Sequence, residues 1–124
     1  MHYDLLLLGG TVIDGSGAPR VPADVGIADG RIAAIGDLTA AQALRTFDVT
    51  GLIVAPGFID SHAHDDFAVL ETPAMPFKAL QGVTTVVNGN CGLSLAPLVR
   101  QGEVPAPLNL LGDAYRYPTF AAYR

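Results

Sequence analysis

The chain has 124 residues, of which 50% are hydrophobic and 15% are charged, so it contains enough apolar material for one buried core. Its formal charge is −5, and its seven lysines and arginines are scattered rather than clustered. This composition excludes the basic stripe that binds nucleic-acid phosphates or anionic membranes. We therefore expect neither nucleic acid nor a membrane as a partner.

The longest leucine run, residues 5–8, is too short for the core of a secretory signal peptide, and no basic region precedes it. No run approaches the roughly 20 apolar residues that span a bilayer. The single cysteine, Cys91, excludes an internal disulfide and fits a reducing compartment. From these features we expect a soluble, cytoplasmic protein.

The first 56 residues are typical of short strands separated by glycine turns. Three pairs of strands are predicted, residues 3–8 with 11–13, 23–28 with 31–35, and 44–49 with 52–54. Asp29-Gly30, inside the second pair, is the strongest hairpin signal because both residues accept the positive φ of a type I′ turn. Residues 37–43 are predicted to form one helical turn. Together these elements predict a small antiparallel sheet or half-sandwich that ends near residue 56.

After residue 56 the pattern changes to that of a βα repeat. Residues 57–64 are predicted to form a buried strand with a polar end, residues 72–81 a helix, and residues 83–87 a second, β-branched strand. Reactive groups gather at the carboxyl ends of parallel strands in such repeats. Because two parallel strands cannot bury both faces of a sheet, we expect this chain to be the front of a longer protein.

Two histidines stand at the end of the first of these strands. At positions i and i+2, His62 and His64 point to the same face, roughly 7 Å apart at Cα, so both imidazoles can reach one metal ion. Cys91 follows the next strand and is expected at the same end of the sheet. Zinc binds thiolate sulfur and imidazole nitrogen in tetrahedral arrangements. The alternatives are two solvated histidines and a cysteine that packs in the core.

Three aspartates flank the histidine pair and are candidates for oxygen ligands or for hydrogen bonds to the ligands. They are Asp60, Asp65 and Asp66. The sequence assigns none of them a role. Lys78 lies in the predicted helix rather than at a strand end, so we do not expect it to be a ligand.

Several segments resemble the amidohydrolase superfamily. Residues 51–64, Gly-Leu-Ile-Val-Ala-Pro-Gly-Phe-Ile-Asp-Ser-His-Ala-His, are similar to its signature, in which an apolar strand ends in H-x-H. Residues 4–15 resemble the start of its N-terminal β-sandwich. His64-Asp65-Asp66 and residues 88–94, Asn-Gly-Asn-Cys-Gly-Leu-Ser, resemble the N-acyl-D-amino-acid deacylases, or D-aminoacylases. The resemblance covers residues 3 to about 98.

The resemblance implies an α/β fold with a β-sandwich part. Residues 1–56 would be an N-terminal β-sandwich portion, and residues 57–124 the start of a TIM-like (β/α)8 metal-dependent hydrolase barrel that is incomplete in this chain. The resemblance makes His62 and His64 ligands of one metal position and Cys91 a ligand of the neighbouring, tighter position. It implies one or two Zn²⁺ ions. In these enzymes the cysteine takes the place that a carboxylated lysine holds in hydantoinases and dihydroorotases.

The activity that the resemblance implies is zinc-dependent hydrolysis of N-acyl-D-amino acids to a D-amino acid and a carboxylate. The family's general base, its further histidine ligands and the cationic residues for the substrate carboxylate lie later in its barrel. We therefore expect the catalytic base outside this chain and no activity from the chain alone. A companion chain that completes the barrel is one partner to consider.

Two other functions fit the same residues. One is a cyclic-amide amidohydrolase, hydantoinase-like or dihydroorotase-like, in which Cys91 only packs. The other is a non-catalytic, β-rich module that binds a metal or a partner chain through its unpaired sheet edges. Replacing Cys91 with serine separates the first of these from a deacylase, because the metal content falls only if the cysteine is a ligand.

Overall fold

The computed structural model describes residues 2–98, 102–104, 106–114 and 116–124. The chain divides into two compact units, of which one ends at Pro56 and the other begins at Gly57. We call them the N-terminal unit and the C-terminal unit. Among the residues described, no helix is long and apolar enough to cross a membrane.

The N-terminal unit consists of two small mixed sheets. Its strands are β1 (His2–Leu8), β2 (Thr11–Val12), β3 (Val21–Pro22), β4 (Asp24–Ala28), β5 (Arg31–Gly36), β6 (Gln42–Asp48) and β7 (Ile53–Val54). The larger sheet has the order β5-β4-β1-β6 and the smaller one β3-β2-β7. β1 pairs antiparallel with β4 but parallel with β6, and β2 pairs parallel with β7. The prediction of an antiparallel sheet is therefore wrong for these parallel pairs.

The hairpin predicted at Asp29-Gly30 is confirmed. β4 and β5 pair antiparallel, with Ala28 opposite Arg31. Both turn residues have positive φ, 52° for Asp29 and 69° for Gly30. Aspartate tolerates this conformation and glycine adopts it without steric cost, as a type I′ turn requires.

The other two predicted hairpins are wrong. β1 and β2 lie in different sheets, and so do β6 and β7. At the bends, the Val49 amide donates a hydrogen bond to the Leu8 carbonyl at 2.9 Å, and the Thr11 amide donates to the Leu52 carbonyl at 3.0 Å. The parallel pairing of β1 with β6 therefore continues beyond the bends as the parallel pairing of β2 with β7. A glycine permits a bend between sheets as readily as a reverse turn, and the local sequence does not distinguish the two.

The core of the larger sheet centres on Leu6, which is 1% exposed. Tyr3 and Val25 are buried beside it. The Tyr3 ring lies against Gly26, where a Cβ atom would come within 2.6 Å of the ring carbon Cε1. Only glycine fits there without displacing the ring.

A buried aspartate connects two loops of the N-terminal unit by hydrogen bonds. The Asp24 carboxylate accepts hydrogen bonds from the amides of Gly9 and Leu38, each at 2.8 Å. These bonds compensate the loss of water around the charge. The Ala41 amide donates to the Leu38 carbonyl at 2.9 Å. A turn therefore precedes β6, which begins at Gln42, and the helical turn predicted over residues 37–43 is wrong.

The C-terminal unit contains the predicted order of strand, helix and strand. β8 (Phe58–Ala63) pairs in parallel with β9 (Val83–Asn88), and their connection carries α1 (Ala68–Glu71) and α2 (Pro76–Ala79). A 3-10 segment (Leu108–Ala114) and α3 (Phe120–Tyr123) follow. The parallel pairing brings the carboxyl ends of β8 and β9 to one edge of their sheet.

Two expectations for this unit are wrong. Within residues 72–81 only α2 is α-helical, because Met75 has a φ of 44° and Pro76 begins the helix at a position where its missing amide costs no hydrogen bond. The strand predicted to be buried is largely exposed, with Phe58 65% and Ile59 67% accessible. Among the residues described, β9 is the one strand that pairs with it.

Candidate metal centre

The three predicted metal ligands come together at the carboxyl ends of β8 and β9. His62 lies in β8, His64 follows its last residue, and Cys91 lies in the turn after β9. The two imidazole rings are 5.5 Å apart at their centroids. The Cys91 Sγ atom lies 3.6 Å from the His64 Nε2 atom. One ligand atom from each residue lies within 4.8 Å of the other two, and all three side chains are exposed.

The shortest of these distances fits a shared zinc ion. With Zn–N bonds of about 2.0–2.1 Å and a Zn–S bond of about 2.3 Å, tetrahedral geometry places nitrogen and sulfur about 3.6 Å apart. The observed separation of Cys91 Sγ and His64 Nε2 has this value. Two imidazoles and one thiol are also the donor types that zinc prefers. The residues present therefore suit the metal that the sequence predicts.

Asparagine side chains join the two strand ends on which the ligands stand. The Asp65 amide donates a hydrogen bond to Asn88 Oδ1 at 2.9 Å. Asn90, in the same turn as Cys91, donates from Nδ2 to the Ser61 carbonyl at 3.1 Å. These bonds cross between β8 and β9, so they fix the cysteine turn relative to the histidine pair.

A lysine that the sequence analysis set aside contacts two of the flanking aspartates. Lys78 Nζ lies 2.6 Å from Asp60 Oδ2 and 2.9 Å from Asp65 Oδ2. The hydrogen bond from Lys78, and then that from the His62 amide to Asp60 Oδ1, hold the pKa of Asp60 below its ordinary value. The hydrogen bonds to Asp60 and Asp65 raise the pKa of Lys78. The lysine is therefore an ammonium group between two carboxylates at neutral pH.

The third flanking aspartate has a different environment. Asp66 is buried, and its Oδ2 atom accepts a hydrogen bond from the Leu95 amide at 2.5 Å. The Tyr123 hydroxyl donates to the Asp66 carbonyl at 2.7 Å. Leu95 is itself fully buried. Asp66 thus holds the loop that follows Cys91 through Leu95. It also binds α3, through the hydroxyl of Tyr123.

An apolar cavity of about 210 Å³ opens beside the histidine pair. His64 forms part of its wall, and Phe67, Leu93, Leu108 and Leu111 supply apolar surface. This cavity is not predictable from the sequence, because its leucines come from the weakly patterned tail. The cavity therefore adjoins one of the three predicted metal ligands.

Comparisons with known proteins show which enzymes the chain is similar to. Residues 45–124 match the model of the amidohydrolase family. The chain is 58% identical over 123 residues to the D-aminoacylase of Alcaligenes xylosoxydans xylosoxydans, covering 98% of this chain and 25% of that protein. The chain thus spans about a quarter of the length of this relative.

Solved structures of two such deacylases are also similar to this chain. The N-acyl-D-glutamate deacylase of Bordetella bronchiseptica, complexed with zinc and a phosphonate inhibitor, is 50% identical, with a TM-score of 0.90 over 99% of this chain and 26% of that one. A D-aminoacylase with a binuclear metal centre is 54% identical, with a TM-score of 0.86 over 98% of this chain and 26% of that one. The family match covers more than half of the sequence, and the chain therefore belongs to the amidohydrolase family.

Proposed function

We propose that the protein is a zinc-dependent amide hydrolase that converts N-acyl-D-amino acids into a D-amino acid and a carboxylate. The observation that carries the proposal is the convergence of His62, His64 and Cys91, whose ligand atoms lie within 4.8 Å of one another. The similarity to a zinc-bound N-acyl-D-glutamate deacylase supports the same chemistry. We assign these three residues as ligands of one ion or of two neighbouring ions.

The proposed function has a corresponding domain division. Residues 1–56 are the N-terminal β-sandwich portion, and residues 57–124 are the start of a (β/α)8 metal-dependent hydrolase barrel. The parallel pair of β8 and β9 with a helical connection is the repeating unit of such a barrel, which supports this division. The exposure of Phe58 and Ile59 on β8 supports it as well, because apolar strand residues call for a covering layer.

Bound Zn²⁺ supplies a water molecule of lowered pKa and polarises the amide carbonyl. The imidazoles of His62 and His64 and the sulfur of Cys91 would hold the metal at the edge of the sheet. His64 also lines the apolar cavity, so a substrate bound at the metal would lie beside that cavity. The role of these residues is therefore to bind the metal and to set where the substrate carbonyl lies.

None of the three flanking aspartates is assigned as the general base, although each carboxylate contacts a protein group. Asp60 and Asp65 contact Lys78, and the Leu95 amide donates to Asp66. In the family that the chain resembles, the general base lies later in the barrel. We therefore place the general base outside the described residues and propose that residues 1–124 alone do not turn over substrate.

The cavity beside His64 suits the apolar part of such a substrate. Its walls are mostly apolar, and the nearby Asp66 carboxylate disfavours a second negative charge. The amino-acid carboxylate of the substrate is therefore unsuited to this cavity, whereas an aliphatic acyl chain fits it. We assign the cavity to the acyl group.

We place the protein in the cytoplasm, because a cysteine that serves as a metal ligand stays reduced there. The substrate is a small N-acyl amino acid. A companion chain that completes the barrel is compatible with this function, and the following experiment tests for one.

The test combines native mass spectrometry, elemental analysis and an assay of N-acyl-D-amino-acid hydrolysis on natively purified protein. We expect a zinc-loaded species, and release of D-amino acids only where further polypeptide completes the barrel. Zinc together with hydrolysis of hydantoins, and no release of D-amino acids, would instead establish a cyclic-amide hydrolase. A chain of 12.9 kDa without metal would contradict the proposed ligand set.

A further inference from the structure

Lys78 is the one lysine in the sequence. Its ammonium group contacts both ends of the segment that carries His62 and His64. The segment from Asp60 to Asp65 begins and ends with a carboxylate, and Lys78 Nζ lies 2.6 Å from the first and 2.9 Å from the last. The lysine stands on α2, in the connection between β8 and β9. One ammonium group therefore bridges both ends of the segment that contains His62 and His64.

Asp60 is also tied to the backbone near the ligands through its carboxylate, and Asp65 is held through its own backbone amide. Asp60 Oδ1 accepts a hydrogen bond from the His62 amide at 3.1 Å. The Asp65 amide, next to His64, donates to Asn88 Oδ1 at the end of β9 at 2.9 Å. A shift of either aspartate would therefore move the backbone of a neighbouring histidine.

The three charged side chains are partly withdrawn from water, with exposures of 21% for Lys78, 32% for Asp60 and 15% for Asp65. Solvent and salt screen such a network less than an exposed pair. Without the ammonium group, two carboxylates would repel each other across the segment, and both would be free to turn towards a bound cation. The four-residue helix α2 is too short to be stable by itself, so these contacts also fix where it lies.

We propose that Lys78 is a positioning residue for the metal centre, which holds Asp60 and Asp65 so that His62 and His64 present their nitrogens to a common metal position. The inference rests on the proposed function only through the metal site. It does not depend on which amide is hydrolysed. Outer groups of this kind orient metal ligands and commonly set the metal affinity.

The test compares wild-type protein with Lys78→Met, which removes the charge, and Lys78→Arg, which keeps it. Arg31→Met serves as the control, because it removes one positive charge from the N-terminal unit. The probes are Zn²⁺ affinity, measured by competition with a chelator, and the visible absorption spectrum of bound Co²⁺, which reports ligand geometry. Thermal unfolding of the metal-free proteins shows whether each variant is folded.

We expect Lys78→Met to bind Zn²⁺ about 10- to 100-fold more weakly and to change the Co²⁺ spectrum. Lys78→Arg should recover most of both properties, and Arg31→Met should match the wild type. If Lys78→Met does not fold, Asp65→Asn removes one of the two ion pairs and should weaken binding in the same direction. Unchanged affinity and spectrum in a folded Lys78→Met or Asp65→Asn protein would overturn the inference.

The outcomes separate this inference from the proposed function. A wild-type protein that binds neither ion overturns both, because the ligand set itself has then failed. A wild-type protein that binds both ions, with a Lys78→Met variant that binds them equally well, overturns only the role of the lysine. If Lys78→Met loses metal binding and Lys78→Arg does not recover it, the result also contradicts the inference, since the proposed role of Lys78 depends on its charge.

Discussion

The Cys91 Sγ atom lies 3.6 Å from the His64 Nε2 atom, although 27 residues separate them in the chain. We predict that Cys91→Ser lowers the zinc content at least about tenfold, because a neutral hydroxyl is a much poorer zinc ligand than a thiolate. Elemental analysis after dialysis against graded chelator concentrations measures the effect. Ser16→Ala, in an exposed loop of the N-terminal unit, is the control. An unchanged zinc content would mean that Cys91 is not a metal ligand, as the cyclic-amide alternative requires.

The sequence predicted the ligand cluster because strand geometry determines it. A spacing of two residues places His62 and His64 on one face, and a parallel pair of strands brings Cys91 to the same edge. Lys78 carried no comparable signal. Its contacts with Asp60 and Asp65 depend on how a short helix folds back along the strand, and no local periodicity encodes that placement.

The cavity beside His64 leads to a prediction about acyl-group selectivity. Leu108→Phe, in the wall of the cavity, should reduce its volume and lower kcat/KM for long-chain N-acyl substrates about tenfold more than for N-acetyl substrates. The measurement is a series of N-acyl-D-amino acids of increasing chain length, assayed with the active protein. Leu80→Phe, at a position 87% exposed, is the matched control. An equal loss for all chain lengths would show that the acyl group lies elsewhere.

The close approach of Tyr3 to Gly26 gives a prediction about stability. A Cβ atom at position 26 would lie 2.6 Å from the Tyr3 ring, so Gly26→Ala should lower the free energy of unfolding by about 1–3 kcal/mol. Urea denaturation measures the change. In a Tyr3→Leu background the ring is absent, and the additional cost of Gly26→Ala should become much smaller. Equal costs in both backgrounds would show that the ring is not the obstacle.

The sequence predicted short-range features of the fold better than long-range pairing. The Asp29-Gly30 turn followed from two adjacent residues whose backbone preferences leave few alternatives. The pairing of β1 with β6 joins residues about 40 positions apart, such as Leu6 and Thr46, and depends on the bends at Gly9 and Gly51. A glycine marks where the chain can change direction but not which strand it meets next.

The hydrogen bond from Tyr123 to the Asp66 carbonyl leads to a prediction about alkaline pH. Burial, and then the negative charge of Asp66, raise the pKa of Tyr123, so the folded state favours the neutral phenol. The contribution of this group to stability is therefore fully present below the unfolded pKa of about 10 and is lost as the pH rises through the higher folded value.

Tyr123→Phe should accordingly lower the free energy of unfolding by about 0.5–1.5 kcal/mol at neutral pH, because the hydrogen bond at 2.7 Å is removed. The difference between wild type and variant should shrink as the pH passes about 10, since only the wild type has this phenol to ionise. Urea denaturation of both proteins at increasing pH tests the prediction, and other alkaline effects cancel in the difference. A difference that stays constant across this range would show that the Tyr123 hydroxyl ionises equally easily in the folded and unfolded states.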